Sequence, residues 1–174
     1  MPLAATHVLL TIIIVDLFRD YVIKNKSKYF TLHTILIAGI AGLLPDVDVP
    51  LNWVLKFFGY DVTLLAHGGF THTILIGLIF LVLGVILFKK GKHKWSTYSY
   101  VICFGLFFHI LLDYMLGGGG YNGPMLLWPI SAQRYSFGFL HKLNEPNIFI
   151  SLDAIILILW LWHEEVKHKI KDFI

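Results

Sequence analysis

An all-α, polytopic membrane helix bundle is the fold class this sequence predicts, and three observations predict it. Of its 174 residues 57% are hydrophobic and only 14% charged, with a mean hydropathy of +0.72, a balance suited to lipid rather than to a water-facing surface. Five apolar stretches approach the length of a membrane-spanning helix. Eleven of the fourteen basic residues fall in alternate connections between those stretches. No linker, repeat or run of like charge divides the chain, so residues 1–174 form one domain.

The first stretch, Leu3 to Phe18, lacks a positively charged leader segment and is expected to belong to the mature fold. Asp16 stands three residues before Arg19 near its end, a spacing that fits a local ion pair. The second stretch, Tyr29 to Leu44, stops at Pro45, beyond which Asp46 and Asp48 are expected to project from an extended turn. Asn52 to Tyr60 reads as a short amphipathic helix in the membrane interface. The third and fourth stretches are Phe70 to Phe88 and Tyr98 to Leu116, with the lone Cys103 packed inside the fourth. A long loop from Gly117 to Pro146 carries Tyr121, Trp128, Tyr135, Phe137 and Phe139, and suits either a lid or an interfacial aromatic belt. The fifth stretch, Asn147 to Trp162, closes the set. The first, second and fifth each cover about 24 Å of a hydrocarbon core of about 30 Å, so the bilayer thins there or the helix ends are ragged.

Arg19, Lys24, Lys26 and Lys28, then Lys89, Lys90, Lys92 and Lys94, then Lys167, Lys169 and Lys171 mark one side; the other holds Lys56, Arg134 and Lys142. The positive-inside rule therefore places the N-terminus outside and the C-terminus in the cytoplasm, and accounts for the net charge of +3 without nucleic acid.

That topology collects seven dispersed residues at the outer face: His7, Asp46, Asp48, His67, His72, His109 and Asp113. His109 and Asp113 share a helical face four residues apart, about 12 and 6 Å below the outer helix end. Gly68 and Gly69 give His67 and His72 a backbone able to approach closely, with His72 in the first turn of the third helix. A single His–Asp pair in a membrane can merely bind helices together, but seven converging groups point to metal. Imidazole and carboxylate donors suit Zn²⁺, Mn²⁺ or Fe²⁺ better than Ca²⁺, and their number leaves room for one ion or two. His33, His93, His163 and His168 fall on the other side. Asp153 offers either a hydrogen bond into the bundle or support for the site, and Arg134 and His141 are either solvated or phosphate-orienting.

Thr6-His7, Gly42-Leu43-Leu44-Pro45-Asp46-Val47-Asp48, the segment His67 to Thr73, His109 to Asp113, and Leu127-Trp128-Pro129-Ile130 with Arg134 form an ordered set. It resembles the YdjM-type integral membrane proteins described as metal-dependent hydrolases, although Gly68 stands where a basic residue would follow His67. The resemblance implies a zinc-type centre, a distant likeness to zinc-dependent phospholipase C, and a place in the plasma membrane of a prokaryote. The expected activity is metal-assisted hydrolysis of a phosphoester in a membrane lipid or lipid-linked substrate at the extracytoplasmic leaflet, with Asp46, Asp48 and Asp113 as ligands or proton acceptors. The alternatives are a metal-ion transporter or channel component, and a structural protein clamped by its metal; almost wholly apolar inner halves of the third and fourth stretches weigh against transport.

Overall fold

The computed structural model describes residues 4–24, 27–116, 122–138 and 146–168, and every regular element among them is helical. The first apolar run forms α1, Ala4–Leu17, and continues into a π-helical turn, Phe18–Ile23, that ends at Lys24 with φ 54°. α2, Leu32–Ala41, starts at a reciprocal cap in which Thr31 and Thr34 satisfy one another's exposed backbone N–H groups. Pro45 does not release an extended turn. It opens a 3-10 turn, Leu44–Val47, that carries Asp46, and Asp48 becomes the first residue of α3, Asp48–Phe57. The amphipathic helix expected from Asn52 thus begins four residues earlier, which fixes Asp48 on rigid backbone.

Two further 3-10 turns, Thr63–Leu65 and Phe70–His72, lead to α4, Ile74–Lys89, capped by the Thr73 hydroxyl on Leu75 N–H. His72 therefore sits in the turn ahead of the helix rather than in its first turn. The fourth stretch extends back to His93 as the long α5, His93–Leu116, and the fifth forms α6, Pro146–His168.

Small residues let these helices approach. A Cβ at Gly105 of α5 would stand 2.7 Å from the Ala41 Cβ and 2.9 Å from the Ala38 carbonyl of α2, and Gly77 and Gly84 of α4 receive the rings of Phe107 and Tyr100. Val15, Ile35, Ala38 and Val101 form a buried apolar cluster among α1, α2 and α5, with Ile12, Phe30 and Ile37 packed against it.

Length and composition make α5 a membrane-spanning candidate, and α2 with the Leu44–Phe57 segment, bent by 48°, a second. α4 is apolar but only 16 residues long.

The expected Asp16–Arg19 pair is present at 2.8 Å and belongs to a larger clasp. The π turn widens the helix and brings Arg19 and Asp20 inward. Arg19 Nε donates to Asp20 Oδ1, His168 Nε2 lies 2.9 Å from Asp20 Oδ2, and Trp160 Nε1 donates to Asp16 Oδ2. This network ties α6 to the end of α1 remote from His7.

Candidate metal centre

All seven expected residues meet at one place. The 3-10 turn after α2 supplies Asp46, the turn before α4 supplies His72, and one face of α5 supplies His109 and Asp113. His72 Nε2 lies 3.2 Å from His109 Nε2, 3.2 Å from Asp113 Oδ2 and 3.8 Å from Asp46 Oδ1. His109 Nε2 lies 3.5 Å from Asp46 Oδ1 and 3.6 Å from Asp113 Oδ2. A tetrahedral ion about 2.0–2.1 Å from each of four donors would space neighbouring donors about 3.3 Å apart. Five of the six spacings, at 3.2 to 3.8 Å, fall around that value.

The hydrogen bonds behind the imidazoles settle which atoms face inward. His109 Nδ1 is 2.7 Å from the Gly42 carbonyl, an acceptor, so Nδ1 carries the hydrogen and Nε2 presents its lone pair. Thr71 Oγ1 donates to Asp48 Oδ2 at 2.9 Å and lies 2.9 Å from His72 Nδ1. With its own hydrogen given to Asp48, that hydroxyl accepts from His72 Nδ1–H, and His72 Nε2 also turns a lone pair to the centre. Once His72 gives up its second proton, two imidazole nitrogens and two carboxylate oxygens face one another as acceptors, a donor set suited to a cation. Asp46 Oδ1 is buried and makes no hydrogen bond among the described residues.

Asp48 and His67 stand beside this set. Asp48 Oδ2 accepts from Gly68 N–H at 3.3 Å as well as from Thr71 and faces His72 Nδ1 at 3.3 Å, while Oδ1 lies 3.2 Å from His67 Nδ1. Its lone pairs are thereby engaged with the groups that position the two histidines. His67 Nε2 is 3.9 Å from Asp113 Oδ2. His7 stacks on the His109 ring at 3.9 Å between centroids and places Nε2 3.3 Å from Asp113 Oδ1. Its Nδ1 is buried without a hydrogen-bond partner among the described residues. The side chains of Asp46 and His67 are 13% and 18% exposed, whereas those of His7, Asp48, His72, His109 and Asp113 are fully buried. The centre therefore opens on the Asp46–His67 side.

His72, in the turn outside α4, has two opposing influences on its charge. Burial lowers its pKa, but the carboxylates of Asp113 and Asp48 outweigh burial and raise it to about 9. In metal-free protein, the stabilisation from that proton is complete below the ordinary value of 6.5 and is lost as pH rises through about 9. A cation must displace the same proton, so metal affinity climbs across this window. Chelated protein should melt at a lower temperature above pH 9 than at pH 6.5, and saturating metal should flatten that dependence; parallel melting curves with and without metal would contradict it.

Other expectations resolve differently. Arg134, partly exposed, is tied to backbone: its Nη1 donates to the carbonyls of His67 and Gly123 at 3.0 Å each. The described part of the long loop, residues 122–138, is bonded to the ligand-bearing segment. Met125 N donates to Gly68 O, Ile74 N to Leu126 O, and the Thr73 hydroxyl to the carbonyls of Leu126 and Trp128. These bonds make residues 122–138 a strap over the backbone of His67 to Ile74; Tyr121 and Phe139 of the expected aromatic belt lie outside the described residues. Asp153 accepts from Thr6 Oγ1 at 2.9 Å, next to His7. His33 is exposed and away from the centre, and His141 lies outside the described residues. Sequence reasoning missed Thr71 and the Gly42 carbonyl as orienting groups, although both lie inside the segments it singled out.

The model of the family described as YdjM inner membrane protein matches residues 1–170. No curated protein and no solved structure matches the chain.

Proposed function

This chain belongs to the YdjM inner membrane protein family, and on that premise we propose that it is a membrane-embedded, metal-dependent hydrolase acting on a phosphoester of a lipid or lipid-linked substrate. The observation that carries the reading is the convergence of Asp46, His72, His109 and Asp113, five of whose six pairwise donor spacings fall between 3.2 and 3.8 Å, with an opening on one side. Asp46, His72, His109 and Asp113 would hold one divalent ion, zinc or another transition metal. Asp113 Oδ1 with His7 offers donors for a second. When bound, such an ion supplies Lewis acidity, lowering the pKa of water toward about 7 and polarising an ester oxygen.

The residues do the rest. Gly42 and Thr71 hold the tautomers of His109 and His72, and Asp48 fixes the His67 ring at the mouth. With Nδ1 held by Asp48, His67 Nε2 is placed to accept a proton from attacking water and return it to the leaving oxygen. Burial of the other five groups keeps bulk water from the centre except at that mouth.

In the membrane, α1 with its π turn, α2, α4, α5 and α6 are the five spans of this reading, with the centre toward the extracytoplasmic leaflet. The alternating basic connections support that orientation. The Val15–Ile35–Ala38–Val101 cluster lies one to two helical turns beyond the centre on the path to the Asp16–Arg19–Asp20 network. Closing that path with apolar side chains favours hydrolysis over ion passage.

The test is a substrate screen with metal-loaded protein in lipid vesicles, covering phospholipids, lipid phosphates and soluble phosphodiesters. Metal-dependent release of a phosphorylated or dephosphorylated product, stopped by a chelator, is expected for a lipid. Absence of turnover on all three classes, together with divalent-ion flux into the vesicles, would replace the hydrolase by a transporter.

A further inference from the structure

α6 meets α1 through polar contacts at two levels. Near the metal centre the Thr6 hydroxyl donates to Asp153 Oδ2 at 2.9 Å, and toward the other end Trp160 Nε1 donates to Asp16 Oδ2 at 3.2 Å. Between these levels the helices do not close on one another. A groove of about 580 Å³ remains, walled by Ala5, Val8 and Ile12 of α1 and by Leu157 and Trp160 of α6, with Leu43 at one end. The volume lies within the range of about 300–1,000 Å³ typical of small-molecule sites.

We propose that this groove holds one acyl chain of a lipid substrate, with the polar end of the lipid beside Asp153 and the metal centre. The proposal rests on the reading of that centre as acting on a lipid. The lining selects the occupant: apart from Asp153 it is almost wholly apolar, so a polypeptide backbone there would leave its N–H and C=O groups unpaired. Ala5 to Ile12 covers only about 11 Å of helix axis, too short a groove to take a packed helix, itself about 10–12 Å across, along its length. A hydrocarbon chain has neither difficulty. The groove ends beside the centre without opening into it: two of its neighbours in the chain are centre groups, Thr6 adjoining His7, and Leu43 adjoining Gly42, whose carbonyl holds His109. Asp153 is the polar stop, a carboxylate already holding Thr6 and suited to a hydroxyl or amine of the headgroup region rather than to its phosphate.

The experiment uses full-length, metal-loaded protein in vesicles containing a phosphatidylethanolamine with a mid-chain diazirine, followed by peptide mapping after illumination. Adducts on Val8, Ile12 and Leu157 should exceed those on Ile79 and Val82, exposed residues of α4, by about tenfold, the occupancy ratio that about 1.4 kcal/mol of preference gives. Val8→Trp should fill the groove and remove that excess while metal content stays intact; Leu157→Trp serves if the first variant does not fold. Even labelling of the groove and α4 would overturn the proposal. Groove labelling without hydrolysis of any lipid would keep the chain site and remove the hydrolase, whereas lipid hydrolysis with even labelling would do the reverse.

Discussion

Replacing His109 by alanine is expected to empty the metal centre. The imidazole contributes one of four inward acceptors, accepts the His7 ring against its face and occupies the Gly42 carbonyl. Its removal leaves three donors and a buried carbonyl without its partner, so coordination and local packing fail together. Metal affinity should fall by more than the roughly 10–100-fold typical of losing a group that only orients a ligand. Lipid hydrolysis should disappear with the metal. His72→Ala should behave alike, because its Nε2 faces the same two carboxylates, Asp46 and Asp113, and His109 itself. His33→Ala, altering an exposed residue away from the centre, should retain the ion. Elemental analysis of the three purified variants decides the matter: equal metal content would show that the ligand set is wrong.

Asp48→Ala should produce the second-largest effect, and a different one. Asp48 binds no inward-facing lone pair; it gathers His67, Gly68, Thr71 and His72 around a single carboxylate. Without it Thr71 loses the acceptor that orients its hydroxyl, and His72 can turn. The four ligands remain, so the ion should still bind at high concentration but about 10–100-fold more weakly. Hydrolysis should stay low even at saturating metal, because His67 has lost the partner that holds its ring at the mouth. Competition with a graded series of chelators gives the affinity, and assays at saturating metal separate loading from turnover. Wild-type turnover at saturation would remove His67 from the chemistry.

These two variants mark how far the sequence could be read. The seven residues were legible because helix alternation and the i, i+4 spacing of His109 and Asp113 are periodic signals. Nothing periodic separates Asp46 from Asp48. They stand two residues apart, yet a 3-10 turn aims one at the centre while the start of α3 turns the other toward Gly68 and Thr71. Pro45 announced a break in α2 but not the geometry beyond it. Arg134 was unreadable for a related reason. Its partners are backbone carbonyls of His67 and Gly123, and such bonds leave no pattern of residue types. The length of α5 and the clasp from Asp16 to His168 were likewise only half visible, since the first depends on where polar residues tolerate helix and the second joins residues about 150 positions apart.

The strap has a consequence for how the protein is made. Residues 122–138 follow α5 in the chain, yet they fasten the backbone of His67 and Gly68, which emerges from the ribosome much earlier. A nascent chain that has just delivered Asp113 carries all seven histidines and aspartates of the candidate centre but not the bonds that hold the turn before α4 in place. The turn that carries His67 and His72 is therefore fastened only after Arg134 has been translated.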